Sequence, residues 1–94
     1  MKAAITLDSI VSVVPGQLAS QVGSEVVILG LDRGAYYGLN RSGAWLWQKL
    51  QTPTRVGDLH TALLEKYEVD PEIARQDLIG LLEELHAAEL IEIR

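Results

Sequence analysis

Apolar positions fall in short β-type runs over the first 40 residues and recur at helical spacing over the rest. The largely β-branched run Ile10 to Val14 stops at Pro15-Gly16, a turn pair. Leu18 to Val22 is a weaker strand leading into Gly23-Ser24, a two-residue loop suited to a hairpin. Glu25 to Leu31 is the clearest strand. It breaks at Asp32-Arg33-Gly34, where Asp opens a turn and Gly34 can take a left-handed conformation. Ala35-Tyr36-Tyr37-Gly38-Leu39 returns as another strand, so the segment reads as a small antiparallel meander.

From residue 40 the period changes. Asn40 or Ser42 can cap a helix through Trp45, Leu46, Trp47 and Leu50, and Thr52-Pro53-Thr54 ends it. Thr54 is the expected cap of a second helix carrying Val56, Leu59, Leu63 and Tyr67. Asp70-Pro71-Glu72 is the strongest start signal in the chain: a cap, a proline at the first helical position, then an acid. The third helix is expected to run to about Ala88 with Ala74, Leu78, Leu81, Leu82 and Leu85 as its apolar stripe. Leu90-Ile91-Glu92-Ile93 reads as a short closing strand. This order predicts one α+β, winged-helix-like domain over 1–94: a three-stranded antiparallel sheet followed by three helices.

Charge narrows the function classes. Thirteen acids against eight bases give a net charge of -5 in 94 residues. A nucleic-acid partner is not expected, because such binding rests on Lys and Arg at phosphates. The third helix makes this specific: Glu72, Asp77, Glu83, Glu84 and Glu89 surround the one base Arg75, which would repel a phosphate backbone. An anionic membrane surface is disfavoured for the same reason. No apolar run approaches the roughly 20 residues that span a bilayer. An acid at Asp8 comes too early for a signal peptide, so the expected location is the cytoplasm.

A catalytic constellation does not assemble. There is no cysteine, hence no disulfide, thiolate metal site or cysteine nucleophile. His60 and His86 stand alone beside helical apolar stripes and read as structural. Glu83-Glu84 point about 100° apart on a helix and read as a solvated face. Neither phosphate-cradling glycine motif is present. No enzyme, cofactor or metal is expected.

What chemistry there is lies in the strand Ala35–Leu39. Side chains alternate across a strand, so one of Tyr36 and Tyr37 faces inward. Leu39 shares a face with Tyr37 and marks the core side, which puts Tyr36 outward. No charge between Ala35 and Leu39 guards this strand against pairing. An unguarded edge can take up an extended peptide as an added strand, with pockets gripping alternate side chains. The third helix can supply the other wall. Leu78 and Leu82 lie at its stripe centre, with Arg75 and Ile79 flanking one side and Asp77 and Leu81 the other. Arg75 and Asp77 are candidates to orient a charged peptide side chain, and Tyr36, Leu78, Ile79 and Leu82 are candidate pocket residues. Padding of the sheet and core packing are the competing readings of the same residues.

The stretch Val26 to Trp47, with Tyr37-Gly38-Leu39-Asn40, Ser42-Gly43 and the downstream Trp45, resembles the PqqD family. Val69-Asp70 and the Ala74, Asp77, Leu78, Leu81, Leu82, Leu85 pattern also match, so the resemblance covers about residues 10 to 93. It implies a peptide-recognition domain without catalytic activity. It further implies that the leader of a ribosomally made precursor peptide binds as an added strand between Ala35–Leu39 and the helix Pro71–Ala88. Within the family the chain is most similar to the free-standing recognition proteins of lasso-peptide clusters. That implies a separate, cysteine-protease-like leader peptidase as partner, with an ATP-dependent cyclase as a second partner. The alternative within the family is a chaperone for a radical enzyme of quinone-cofactor synthesis. Outside it, a winged-helix regulator and a module that dimerises through its own edge strand are the rivals.

Overall fold

The computed structural model describes residues 5–30 and 35–94, and within these not the side chains of Gln17, Leu18, Ala35 and Tyr36. The expected turn Asp32-Arg33-Gly34 lies outside the described residues. Four strands come first: β1 (Ile10–Val13), β2 (Gln17–Val22), β3 (Glu25–Gly30) and β4 (Ala35–Leu39). They are followed by α1 (Arg41–Lys49), the two-residue β5 (Thr54–Arg55), α2 (Val56–Lys66), α3 (Pro71–Ala87) and the closing strand β6 (Ile91–Ile93). The fold is α+β, with three helices packed on antiparallel strands.

The meander is β2-β3-β4. β1 does not join it; it is the centre of a second antiparallel sheet, β5-β1-β6. The reason lies in its burial: adjacent Val11 and Ser12 are both buried, so the strand is covered on both faces. Ser12 Oγ accepts a 3.2 Å hydrogen bond from Arg94 Nε, which satisfies this buried hydroxyl. Gly16, at φ 98, turns the chain out of the first sheet into β2.

The helix starts follow from their caps. Asn40 Oδ1 accepts from the Gly43 amide at 3.0 Å, opening α1 directly after β4. Asp70 Oδ1 accepts from the amides of Glu72 and Ile73, with Pro71 in the first turn of α3. The expected cap at Thr54 is not formed. Arg55 holds the cap position of α2 without a side-chain bond, and the Thr54 hydroxyl donates to Lys49 and Thr52 carbonyls instead. Thr54 is committed to β5, paired with Val11. His60 Nε2–H donates to the Pro71 carbonyl at 2.8 Å and ties α2 to the start of α3, a structural role. One buried cluster draws on β1, β3, β4, all three helices and β6, with Ile28, Leu50, Leu59, Leu78, Leu82 and Leu85 among its fully buried side chains.

Candidate functional site

Among the described residues β4 pairs with β3 alone, so its other side is an open edge. Which backbone groups point outward follows from the registers. Val22 and Glu25 close the two-residue turn Gly23-Ser24, with Gly23 at φ 65 in the first central position. Such a turn closes on a hydrogen-bonded pair, and hydrogen-bonded and non-bonded pairs then alternate. Counting along β3, Glu25, Val27 and Leu29 bond to β2, and Val26, Ile28 and Gly30 bond to β4. The partners of those three are Leu39, Tyr37 and Ala35. The N–H and C=O groups of Tyr36 and Gly38 therefore face the open side. Gly38 is exposed, and a Cβ added there would meet nothing within 4 Å.

A groove of about 590 Å³ runs beside this edge. Tyr37, Gly38 and Leu39 form its strand wall, and Ile73, Ala74, Asp77, Leu78, Leu81 and Glu84 its helix wall. Leu46, Leu63 and Tyr67 contribute to its floor and end, with Val69 beside them. Gly43 sets the approach of α1 to β4: a Cβ on it would stand 3.2 Å from Leu39 Cβ and Cδ2. Its absent side chain lets the first turn of α1 close over the strand, which explains the glycine at this position.

Strand and helix are clasped at one end. The Tyr37 hydroxyl donates to Glu84 Oε2 at 2.7 Å, spanning 47 residues of sequence. That bond, with partial burial and the nearby carboxylate charge, raises the Tyr37 pKa above its ordinary value of 10.0. A raised pKa means the neutral phenol prefers the folded state. Its contribution is whole below about pH 10 and is lost as pH rises through the raised folded value. Tyr37→Phe is expected to cost roughly 0.5 to 1 kcal/mol at neutral pH. Denaturant unfolding of both proteins against pH checks this, and the gap should shrink above pH 10.

Of the sequence-derived site residues, Tyr37, Gly38, Leu39, Asp77 and Leu78 come together on the groove. The side chains of Ala35 and Tyr36 lie outside the description, although the Tyr36 backbone is on the open edge. Arg75, Ile79 and Leu82 do not line the groove. Arg75 is turned to Glu72 one helical turn away, and its guanidinium holds the Glu72 carboxyl below the usual range. Ile79 packs on the core, and Leu82 is 0% exposed within it. The Asp77–Leu81 flank of α3 is the one that faces β4 across the groove. Sequence reasoning missed the far end, where Val69 and Ile73 are 47% and 57% exposed. Two large apolar side chains left open beside a helix start were the available signal. No cationic side chain among the described residues lines the groove, and Asp77 has no polar partner among them.

Among the described residues no group of three His, Cys, Asp or Glu could hold a metal ion. No described helix is long and apolar enough to cross a membrane. The sequence model of the family described as "Coenzyme PQQ synthesis protein D (PqqD)" matches residues 25–91, well over half of the chain. The chain belongs to the PqqD family. The matched span runs from β3 through α3 into β6, and so contains both groove walls. No curated protein sequence matches. Among solved structures the chain is similar to TbiB1 in its complex with the TbiA(beta) leader peptide. The TM-score is 0.80 and the identity 30%, covering 86% of this chain and 94% of that one.

Proposed function

We propose that this PqqD-family chain is a non-catalytic adaptor that binds the leader of a ribosomally made precursor peptide as a strand added to β4. The observation that carries the reading is the open β4 edge flanked by an apolar-walled groove. Backbone donors and acceptors there stand beside a groove that can receive alternate side chains of an added strand. The likeness to a protein solved with a leader peptide supports it. Tyr36 and Gly38 supply register through their outward N–H and C=O groups, each bond netting about 1 kcal/mol. An aliphatic or aromatic anchor seated against Leu78, Leu81 and Ile73 adds on the order of 2 kcal/mol. Asp77, unpaired on the helix wall, suits a basic residue of the peptide, with the modest worth of an exposed ion pair.

An adaptor of this kind works through other proteins. In the lasso-peptide reading these are a cysteine-protease-like leader peptidase and an ATP-dependent cyclase, acting in the cytoplasm on a precursor that the chain holds by its leader. Membership of a family named for coenzyme PQQ synthesis favours a second reading, a chaperone for a radical enzyme of quinone-cofactor synthesis. Both use the same groove and differ in which enzyme associates with the loaded chain.

The test is a titration of the isotope-labelled protein with a pool of leader segments, the TbiA(beta) leader included, followed by amide shifts. Shifts concentrated at 36–39 and at 73–84 support the reading. Shifts confined to β2, or none with any leader, overturn it. A further outcome is expected at Ile73. Truncation to alanine should leave stability within about 0.5 kcal/mol, because the side chain is open to solvent. The same change should weaken leader binding severalfold, as read by calorimetry.

A further inference from the structure

Lys2 and Arg33 lie outside the described residues, which leaves six cations. Three of them are ion-paired: Arg55 with Asp8 and Asp58, Arg75 with Glu72, and Arg94 with Glu92. The other three, Arg41, Lys49 and Lys66, have no carboxylate partner among the described residues, and two of them flank one indole. The Lys49 and Lys66 ammonium groups lie 5.4 and 5.6 Å from the Trp45 ring centroid. Lys66 also lies 5.6 Å from the Tyr67 ring, which meets Trp45 edge-on at 6.4 Å. Arg41 borders the same hollow, of about 350 Å³. In a chain of net charge -5, this is a local reversal of sign. Ring faces attract the ammonium groups but do not neutralise them, so their remaining donors stay available to an anion.

The hollow adjoins the groove at Tyr67, which lines both. A peptide lying along β4 runs beside a wall carrying Asp77 and Glu84; on the other side of Tyr67 lie Arg41 and Lys66, with Lys49 against the same Trp45 ring. We propose that the leader segment leaving the groove past Tyr67 carries acidic residues, which dock on Arg41, Lys49 and Lys66 around Trp45. This rests on the leader-binding reading and deepens it: the bound peptide is charge-polar, basic beside Asp77 and acidic beyond Tyr67. The charge gradient fixes the direction in which the peptide lies, which backbone pairing and apolar anchors leave open. The position of the hollow directly beside the groove, with Tyr67 common to both, favours the leader itself over an acidic patch on a separate protein.

Selection of displayed random peptides, about 16 residues long, tests this on the wild-type chain and on the double variant Lys49→Glu/Lys66→Glu. Circular dichroism first establishes that the variant is folded. Wild-type selection should enrich an apolar groove motif with two or more Asp or Glu clustered at one end. Selection on the variant should keep the groove motif and lose the acidic cluster. Replacing those acids by Gln in one selected peptide should weaken wild-type binding about tenfold at low salt and leave variant binding unchanged. Enriched peptides without an acidic end, or an acidic end retained on the variant, would overturn the docking proposal and leave the groove standing. Absence of any enriched peptide that perturbs β4 would sink the leader-binding reading, and this inference with it.

Discussion

Replacing Gly38 with proline is expected to weaken leader binding about tenfold to a hundredfold while both sheets and all three helices persist. The strand registers direct the Gly38 N–H to the open side, so the ladder with β3 loses no hydrogen bond. Proline removes that donor and sets its ring where the peptide backbone would approach. The peptide carbonyl left without a partner then carries a desolvation cost of about 1–3 kcal/mol. Edge strands accept proline where the missing N–H faces solvent, and no atom lies within 4 Å of a Cβ at this position. Tyr37→Pro is the internal contrast. Its N–H is directed at Ile28, so that variant should lose stability first. Gly38→Ala should bind nearly as well as the parent. Calorimetric titration and thermal unfolding of the three variants separate the two effects.

Leu82→Ala is expected to destabilise the chain by about 2–5 kcal/mol, a large part of the roughly 5–15 kcal/mol typical of a small domain. Leu82 is fully buried at the centre of the α3 stripe, and truncation leaves a cavity that the packed cluster around it can close only in part. It lines no part of the groove, so any loss of binding in this variant should track the unfolded fraction. Denaturant unfolding gives the stability change. Peptide affinity measured where the variant is still folded should equal the parent's. A specific binding defect in folded Leu82→Ala would return this residue to the pocket.

The contrast between Leu82 and Asp77 shows what the sequence carried. Helical periodicity located the α3 stripe, with Leu78 and Leu82 at its centre, but a wheel has two flanks and nothing local distinguishes them. The choice of the Asp77–Leu81 flank is made by packing across the fold, where Tyr37 reaches Glu84. The caps at Asn40 and Asp70 were legible because capping is local chemistry. The second sheet was not. β1 and β6 pair across some 80 residues, and β5 is two residues long, too short for any periodicity. Thr54 shows the ambiguity: the residue type suits a helix cap, yet the register with Val11 claims it for a strand. The groove's far end was missed because Val69 and Ile73 flank a strong helix-start signal and read as its surroundings rather than as a surface.

The central claim is that a peptide adds to β4 as a strand. Amide hydrogen exchange along β4, with and without leader peptide, tests it most directly. In the free protein the Tyr37 and Leu39 amides, bonded to β3, should exchange slowly, and those of Tyr36 and Gly38 fast. Peptide at saturation should slow Tyr36 and Gly38 to the level of their neighbours. Saturable binding that leaves those two amides exchanging as fast as before would contradict strand addition.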